Sequence, residues 1–391
     1  MDKYDVIIIG SGPAGYKCAS LLVKHGLRVV LIEKAIFGGT CLNSGCIPKD
    51  ALYTIARGVV VLRKHGGDTR LAWNQVINKI QQRIAHIRNS ALEVLKRQGL
   101  IFIEGEAKLL DERVVKVGKK ELKANYIILA CGSKPKDKGI YPEDILSGKI
   151  KPFGRILIEG GGASACELAF ILSVFGFEVY VKYNGRLLDT YPQIPEAFSS
   201  RLEDSLESLG VEFVEEYIES DIAVKATGRV PNLSKEQFPL IELDKDGFVK
   251  TNEFLETNIK NIYAVGDLVP PMGAGYAFEK ARIVVQNILF GKRNTFIASK
   301  VPVLISSALE VGFVGDFSAA KKFKTVSLSS NPKNYTTGYP GIMRVGYDDK
   351  GRAICLCAIG VGISEILNGF AIYNEYSFSH PSFVESLEEV L

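Results

Sequence analysis

The sequence has 391 residues, 47% of them hydrophobic and 24% charged, with a net charge of +4. These values fit a globular chain of two or three domains, and without a Lys/Arg-rich run they speak against a nucleic-acid-binding surface. The longest apolar run, residues 168–177, is too short to cross a bilayer. The seven cysteines are odd in number and irregularly spaced, unlike a secreted disulfide framework, and residues 1–5 lead straight into a strand. A cytoplasmic protein with neither a membrane nor a nucleic-acid partner is therefore expected.

Val6-Ile7-Ile8-Ile9 is a continuous apolar run of the kind that forms a buried parallel strand. The glycine turn Gly10-Ser11-Gly12-Pro13-Ala14-Gly15 follows, then an expected helix over 16–25 closed by Gly26, and a strand over 28–32 that ends in Glu33. Strand, glycine turn, helix, strand and acid in that order form a dinucleotide fingerprint. The glycines let the backbone approach a pyrophosphate, the helix N-terminus attracts its charge, and Glu33 can bond ribose hydroxyls.

Next comes Gly38-Gly39-Thr40-Cys41-Leu42-Asn43-Ser44-Gly45-Cys46-Ile47-Pro48. Two cysteines five positions apart, just behind a nucleotide fingerprint, suggest a thiol pair held against a cofactor. Five residues of regular helix rise about 7.5 Å, at or beyond the ~7 Å that a disulfide spans. A Cys41–Cys46 bond would therefore need an irregular turn, which Gly45 permits. Such a bond should be strained and easily reduced, as a catalytic pair must be.

Further along lie Gly105-Glu106-Ala107 and the strand-turn run Ile127-Ile128-Leu129-Ala130-Cys131-Gly132-Ser133-Lys134-Pro135. Residues 155–158 then lead into Gly160-Gly161-Gly162-Ala163-Ser164-Ala165-Cys166-Glu167, an apolar helix to Gly176 and a strand over 178–181. This is a second fingerprint, of the G-x-G-x-x-A kind. Two fingerprints imply two dinucleotides. Lys182 and Arg186 follow the second strand in place of the acid that favours NAD, and either could meet the 2′-phosphate of NADP or be a plain solvated cation. A strand and turn over 221–232, a Gly266-Asp267 turn after a five-residue apolar strand, and short alternating strands from about Ser299 complete the pattern. Cys355 and Cys357 read as core, and four scattered histidines offer no metal-ligand spacing.

Taken together, these runs resemble the FAD-dependent pyridine nucleotide-disulfide oxidoreductases: a pattern close to G-G-T-C-x4-C-x-P, a return strand of the A-T-G-S-x-P type, a T-G-R-x-P-N turn, and an H-P-T-x-x-E run matched by Ser379-His380-Pro381-Ser382-Phe383-Val384-Glu385. The resemblance implies an α/β fold with two Rossmann-like dinucleotide-binding domains and a C-terminal α+β dimerisation domain. Its domain order would be 1–150 and 252–298 for FAD, 151–251 for NAD(P), and 299–391 for the homodimer interface. It further implies electron exchange between a dithiol or disulfide substrate and NAD, or alternatively NADP, through FAD. Cys41 and Cys46 would be the redox pair, with His380 from the other subunit as base and Glu385 orienting it. FAD would be bound by Gly10, Gly12, Gly15, Glu33, Gly39, Thr40, Ala107, Gly132 and Asp267, and the nicotinamide dinucleotide by Gly160, Gly162 and Ala165, with Glu167 also counted in the cofactor site. A helix start and an adjacent imidazole would favour the nucleophilic thiolate.

Within the family the pattern is nearest the lipoamide enzymes, with a glutathione-type NADPH-dependent reductase or a flavin-binding subunit without turnover as alternatives. The chain departs from the pattern in three places. There is no room for a β-meander between Ile218 and Asp221, and about a dozen residues are missing between Glu365 and His380. The family's lysine four residues after the second cysteine, near the flavin and partnered with the glutamate matching Glu167, is replaced by Asp50, with Lys49 one step early. Unless the backbone shifts, Asp50 and Glu167 would repel.

Overall fold

The computed structural model describes residues 2–329, 331–332 and 341–381. The chain divides into two compact units, one of residues 1–47, 81–136 and 229–298, the other of residues 48–80, 137–228 and 299–391.

The first unit is built on β1 (Asp2–Ile9), α1 (Pro13–Lys24) and β2 (Val29–Glu33). Pro13 starts α1 earlier than the expected 16, because a proline at the first helical position gives up only an N–H that has no helical partner. β1 runs parallel to β2 and to β6 (Lys120–Leu129), and β2 parallel to β3 (Ile101–Glu104). On the far side, the C-terminal half of β6 pairs with β13 (Ile262–Ala264), while its first residues carry the antiparallel pair β4 (Ala107–Asp111) and β5 (Val114–Val117). Val6, Ile7 and Ile8 have no exposed surface, as a strand covered on both faces requires. Helices α1 and α8 (Ala274–Phe290) pack together, and their apolar residues join the core formed with the sheet. Each such aliphatic side chain removed from water contributes roughly 1.5–3 kcal/mol.

The second unit holds a four-stranded parallel sheet and a five-stranded antiparallel one. The parallel sheet has the order β10 (Val211–Val214), β9 (Glu178–Lys182), β8 (Arg155–Glu159), β11 (Ile222–Lys225), with α6 (Ala163–Val174) between β8 and β9. α6 is apolar all round and buried over most of its length, which accounts for the longest apolar run in the sequence. The antiparallel sheet has the order β14 (Val303–Ser306), β15 (Glu310–Gly315), β18 (Ala353–Gly360), β17 (Ile342–Tyr347), β16 (Lys322–Ser327), and α9 (Ile363–Tyr373) lies against β15 and β18. These sheets match the expected α/β and α+β composition.

Candidate active site

The first fingerprint folds as its sequence requires. A Cβ on Gly15 would stand 1.8 Å from the Gly10 carbonyl oxygen, and one on Gly10, at φ +104°, 2.3 Å from that of Ala130. Gly12 differs, because a Cβ there would meet nothing within 4 Å. It is also the N-cap of α1, and no side chain caps the first-turn N–H groups there. An open face over an uncapped helix start fits a dinucleotide pyrophosphate, and Glu33 stands beside it. The Glu33 carboxylate accepts bonds from the Ser11 N–H (2.8 Å), the Ser11 hydroxyl (2.7 Å) and the Ala35 N–H (2.9 Å), which fix it against the turn.

The contrast between these two glycines makes a prediction. Gly15→Ala should cost about 3 kcal/mol or more, read as a lower thermal midpoint. Gly12→Ala should melt with the wild type yet bind FAD more weakly, and equal stability of the two variants would contradict this assignment.

The thiol run is fastened to the same turn. Gly38 donates its N–H to the Ser11 hydroxyl (3.0 Å). Gly39, at φ +60°, lies so close that a Cβ would stand 2.7 Å from the Gly12 Cα. α2 (Gly39–Ser44) ends at Gly45, and α3 (Cys46–Lys64) begins at Cys46. This is the irregular turn that the five-residue spacing calls for, and it brings the Cys41 and Cys46 sulfurs within 4.8 Å of each other. Asn43 bonds the carbonyls of Phe37 (3.0 Å) and Gly39 (2.8 Å) and accepts from Arg88 (2.9 Å), which secures the run from below. Thr40 is exposed beside Cys41.

Both cysteines are half-buried, unlike Cys18, Cys166, Cys355 and Cys357, which are fully enclosed. Burial pushes the thiol of Cys357 up to about 12 and that of Cys355 to about 11. Cys18 and Cys166 are raised for the same reason. Cys131 is also pushed up to about 12 by burial, its sulfur 3.7 Å from the Ile9 carbonyl. Burial holds these five as neutral thiols.

Asp267 also sits in this unit. Its Oδ2 accepts from the Ser133 hydroxyl (2.6 Å) and its Oδ1 from the Gly273 N–H (2.9 Å). Ser133 in turn accepts from Arg229 Nε (2.8 Å), across the two-stranded pairing of β7 (Ser133–Pro135) with β12 (Arg229–Pro231). Burial lowers the Arg229 guanidinium from its ordinary value, while the charges of Asp267 and Cys46 pull it back up. Gly132 adopts φ +69° with open space at its Cβ position. Ala107 is buried at the start of β4, just past Gly105, whose N–H bonds the Glu33 carbonyl (2.8 Å). The residues present therefore fit a flavin dinucleotide.

In the second unit, Gly160 at φ +125° would drive a Cβ to 2.4 Å from the Ala226 carbonyl oxygen, whereas Gly162 is open, again as an uncapped helix N-cap. Ala165 is buried in the first turn of α6. This repeats the geometry of the first fingerprint and fits a second dinucleotide. Beyond it, Lys182 donates to the Glu215 carbonyl (2.7 Å) and lies 5.0 Å from the Tyr217 ring centre. Arg186 donates to the Ile194 carbonyl (2.8 Å).

The expected repulsion between Asp50 and Glu167 is replaced by an ion pair. Lys49 Nζ stands 2.9 Å from Glu167 Oε1, with 11% and 12% of the two side chains exposed, and the Ser306 N–H bonds the same oxygen at 3.0 Å. Lys49, Tyr53 and Arg57 recur every four residues along α3, so they share one face. Tyr53 donates to Glu310 (3.1 Å) and Arg57 to the Ala308 carbonyl (3.1 Å). The lysine one step early still reaches the glutamate, because the helix begins at the second cysteine and turns that face toward it.

His380 is half-buried in this unit. Its neighbour Ser379 is fully buried, bonded to Asn368 of α9 through its N–H (2.9 Å) and its hydroxyl. Glu385 lies outside the described residues.

Two dinucleotide folds and a thiol pair seated on the first of them define a flavin- and nicotinamide-dependent oxidoreductase acting on sulfur. Comparison with known proteins agrees. The chain belongs to the pyridine nucleotide-disulphide oxidoreductase family, whose match covers residues 4–217 and 214–286. It is 30% identical over 354 residues to a dihydrolipoyl dehydrogenase of Mycoplasma genitalium, covering 80% of this chain and 77% of that one. A dihydrolipoyl dehydrogenase of Pseudomonas aeruginosa is 25% identical over 467 aligned positions, covering 99% and 96%. Among solved structures, the Cu(II) complex of the HOCl-induced flavoprotein disulfide reductase RclA from Escherichia coli shares the fold, with a TM-score of 0.81 at 24% identity and coverage of 100% and 99%. Members of the family use FAD with NAD(H) or NADP(H). Among the described residues no helix is long and apolar enough to cross a membrane.

Proposed function

We propose that this chain is a homodimeric, cytoplasmic dihydrolipoyl dehydrogenase. Its FAD domain would comprise 1–150 and 252–298, its NAD(P) domain 151–251 and its dimerisation domain 299–391. The observation that carries this reading is the Cys41–Cys46 sulfur approach, on a run tied through Gly38, Gly39 and Ser11 to the first fingerprint.

Bound FAD and NAD(P)⁺ supply a two-electron acceptor for the thiol pair. One thiolate of the dihydrolipoyl substrate attacks Cys41 Sγ of the oxidised pair and Cys46 leaves as thiolate. The second substrate thiol then displaces Cys41, which closes the lipoyl disulfide and leaves both cysteines reduced. Two protons are released, and the partner subunit's His380, oriented by Glu385, is suited to accept one of them. Gly10, Gly12, Gly15, Glu33, Gly39, Thr40, Ala107, Gly132 and Asp267 bind FAD. Gly160, Gly162 and Ala165 bind the nicotinamide dinucleotide, and Glu167 holds Lys49 in place.

The test is an NADH titration of the purified protein joined to an assay with dihydrolipoamide. Long-wavelength absorbance at two-electron reduction and turnover of dihydrolipoamide are expected. Bound flavin with neither result would overturn the reading in favour of a subunit without turnover.

Lys182 favours a second reading, reduction of a glutathione-type disulfide with NADPH. On that reading Lys182→Glu should shift the NADPH-to-NADH ratio of kcat/KM toward NADH by about tenfold. An unchanged ratio removes Lys182 from dinucleotide selection.

A further inference from the structure

Lys280 lies in the middle of α8 with no exposed surface. Its Nζ donates to the carbonyl oxygens of Gly266 (3.1 Å), Pro271 (2.7 Å) and Val269. The Phe296 ring centre lies 5.0 Å away and that of Tyr276 6.0 Å, so aromatic faces close the remaining sides. All three carbonyls belong to the turn 266–271, which carries Asp267. Within this turn Gly266 adopts φ +68°, and the carbonyls converge inward on one nitrogen. An ammonium has three protons, one for each oxygen, whereas a neutral amine has two. Burial pushes the Lys280 ammonium down to about 7, while the nearby Asp267 charge pulls it back up, and three carbonyl acceptors on a single turn favour the charged form against that cost of burial.

The turn is thus gripped from inside by Lys280 and from outside by Ser133 and Gly273, which fix the two oxygens of Asp267. We propose that Lys280 is a positioning residue for the flavin, an internal cation that holds the 266–271 turn in the shape that presents Asp267 to the cofactor. The flavin part of this inference rests on the reading of Asp267 as an FAD ligand, whereas the grip on the turn does not.

The test compares the full chain with Lys280→Met, which keeps the length and removes every donor, and with Lys280→Gln, which keeps two. In protein stripped of flavin, amide exchange of residues 266–273 should quicken by about tenfold or more in Lys280→Met and less in Lys280→Gln. Exchange in β1 and α1 should stay unchanged. The dissociation constant for FAD, followed by flavin fluorescence, should rise in the same order.

Unchanged exchange in the turn overturns the proposal. So does a rise spread equally over β1 and α1, or failure of both variants to fold, because either marks a general core lysine. Local quickening in Lys280→Met, together with a wild-type protein that takes up no FAD, supports the grip and overturns the flavin reading instead.

Discussion

Replacing either Cys41 or Cys46 by serine is expected to lower dithiol turnover by about a thousandfold or more, while FAD binding and reduction of the flavin by NADH persist. The split follows from where each group is held. The fingerprint contacts of Glu33 and Ser11 and the Asp267–Ser133 pair involve neither sulfur, so flavin affinity should survive. Thiol-disulfide exchange, by contrast, needs both sulfurs, one to take the substrate and one to leave, and loss of a covalent nucleophile commonly costs several orders of magnitude. The two variants should also differ. If Cys41 meets the substrate, Cys46→Ser should form a stable mixed disulfide with a lipoyl thiol, and Cys41→Ser should not. Mass spectrometry after reaction with an activated lipoyl disulfide reads this directly, and full dithiol turnover in the double variant would remove the pair from the mechanism.

Much of this arrangement was legible in the sequence because it depends on local chemistry. The run 6–9 reads as a covered strand, and the glycine turn after it reads as a backbone made for a pyrophosphate, whereas the difference between the tight Gly15 and the open Gly12 appears only in the structure. Gly45 was readable as a break because a C-x4-C pair on an unbroken helix would hold its sulfurs apart. What could not be read was long-range. Lys280 lies between Glu279 and Ala281 in a helix whose Arg282 pairs with Glu279, and nothing local distinguishes it from a surface lysine. Fully buried lysines are rare, and this one is explained only once the carbonyls of residues 266–271 fold over it. The partner of Lys49 was not readable for a related reason. One residue of offset rotates a helical side chain by about 100°, so its partner depends on where α3 begins, and that start is set by the break at Gly45.

That offset lysine leads to the largest expected loss of stability. Lys49→Met leaves the Glu167 carboxylate, 12% exposed, without its 2.9 Å ammonium partner. The Ser306 N–H at 3.0 Å remains, but one neutral donor does not offset the desolvation of a carboxylate. Removing one member of a buried pair typically costs about 3–5 kcal/mol, so the thermal midpoint should fall by several degrees. Glu167→Gln in the same background removes the stranded charge and should recover most of the loss, because an amide still accepts the Ser306 N–H and the methionine stem still fills the space along α3. Lys49→Glu should be worse than Lys49→Met, since it adds the like-charge contact that Asp50 had been expected to make. If Lys49→Met melts with the wild type, the pair contributes nothing measurable. If the double variant melts below the single one, Glu167 is held by its other contacts and not by this lysine.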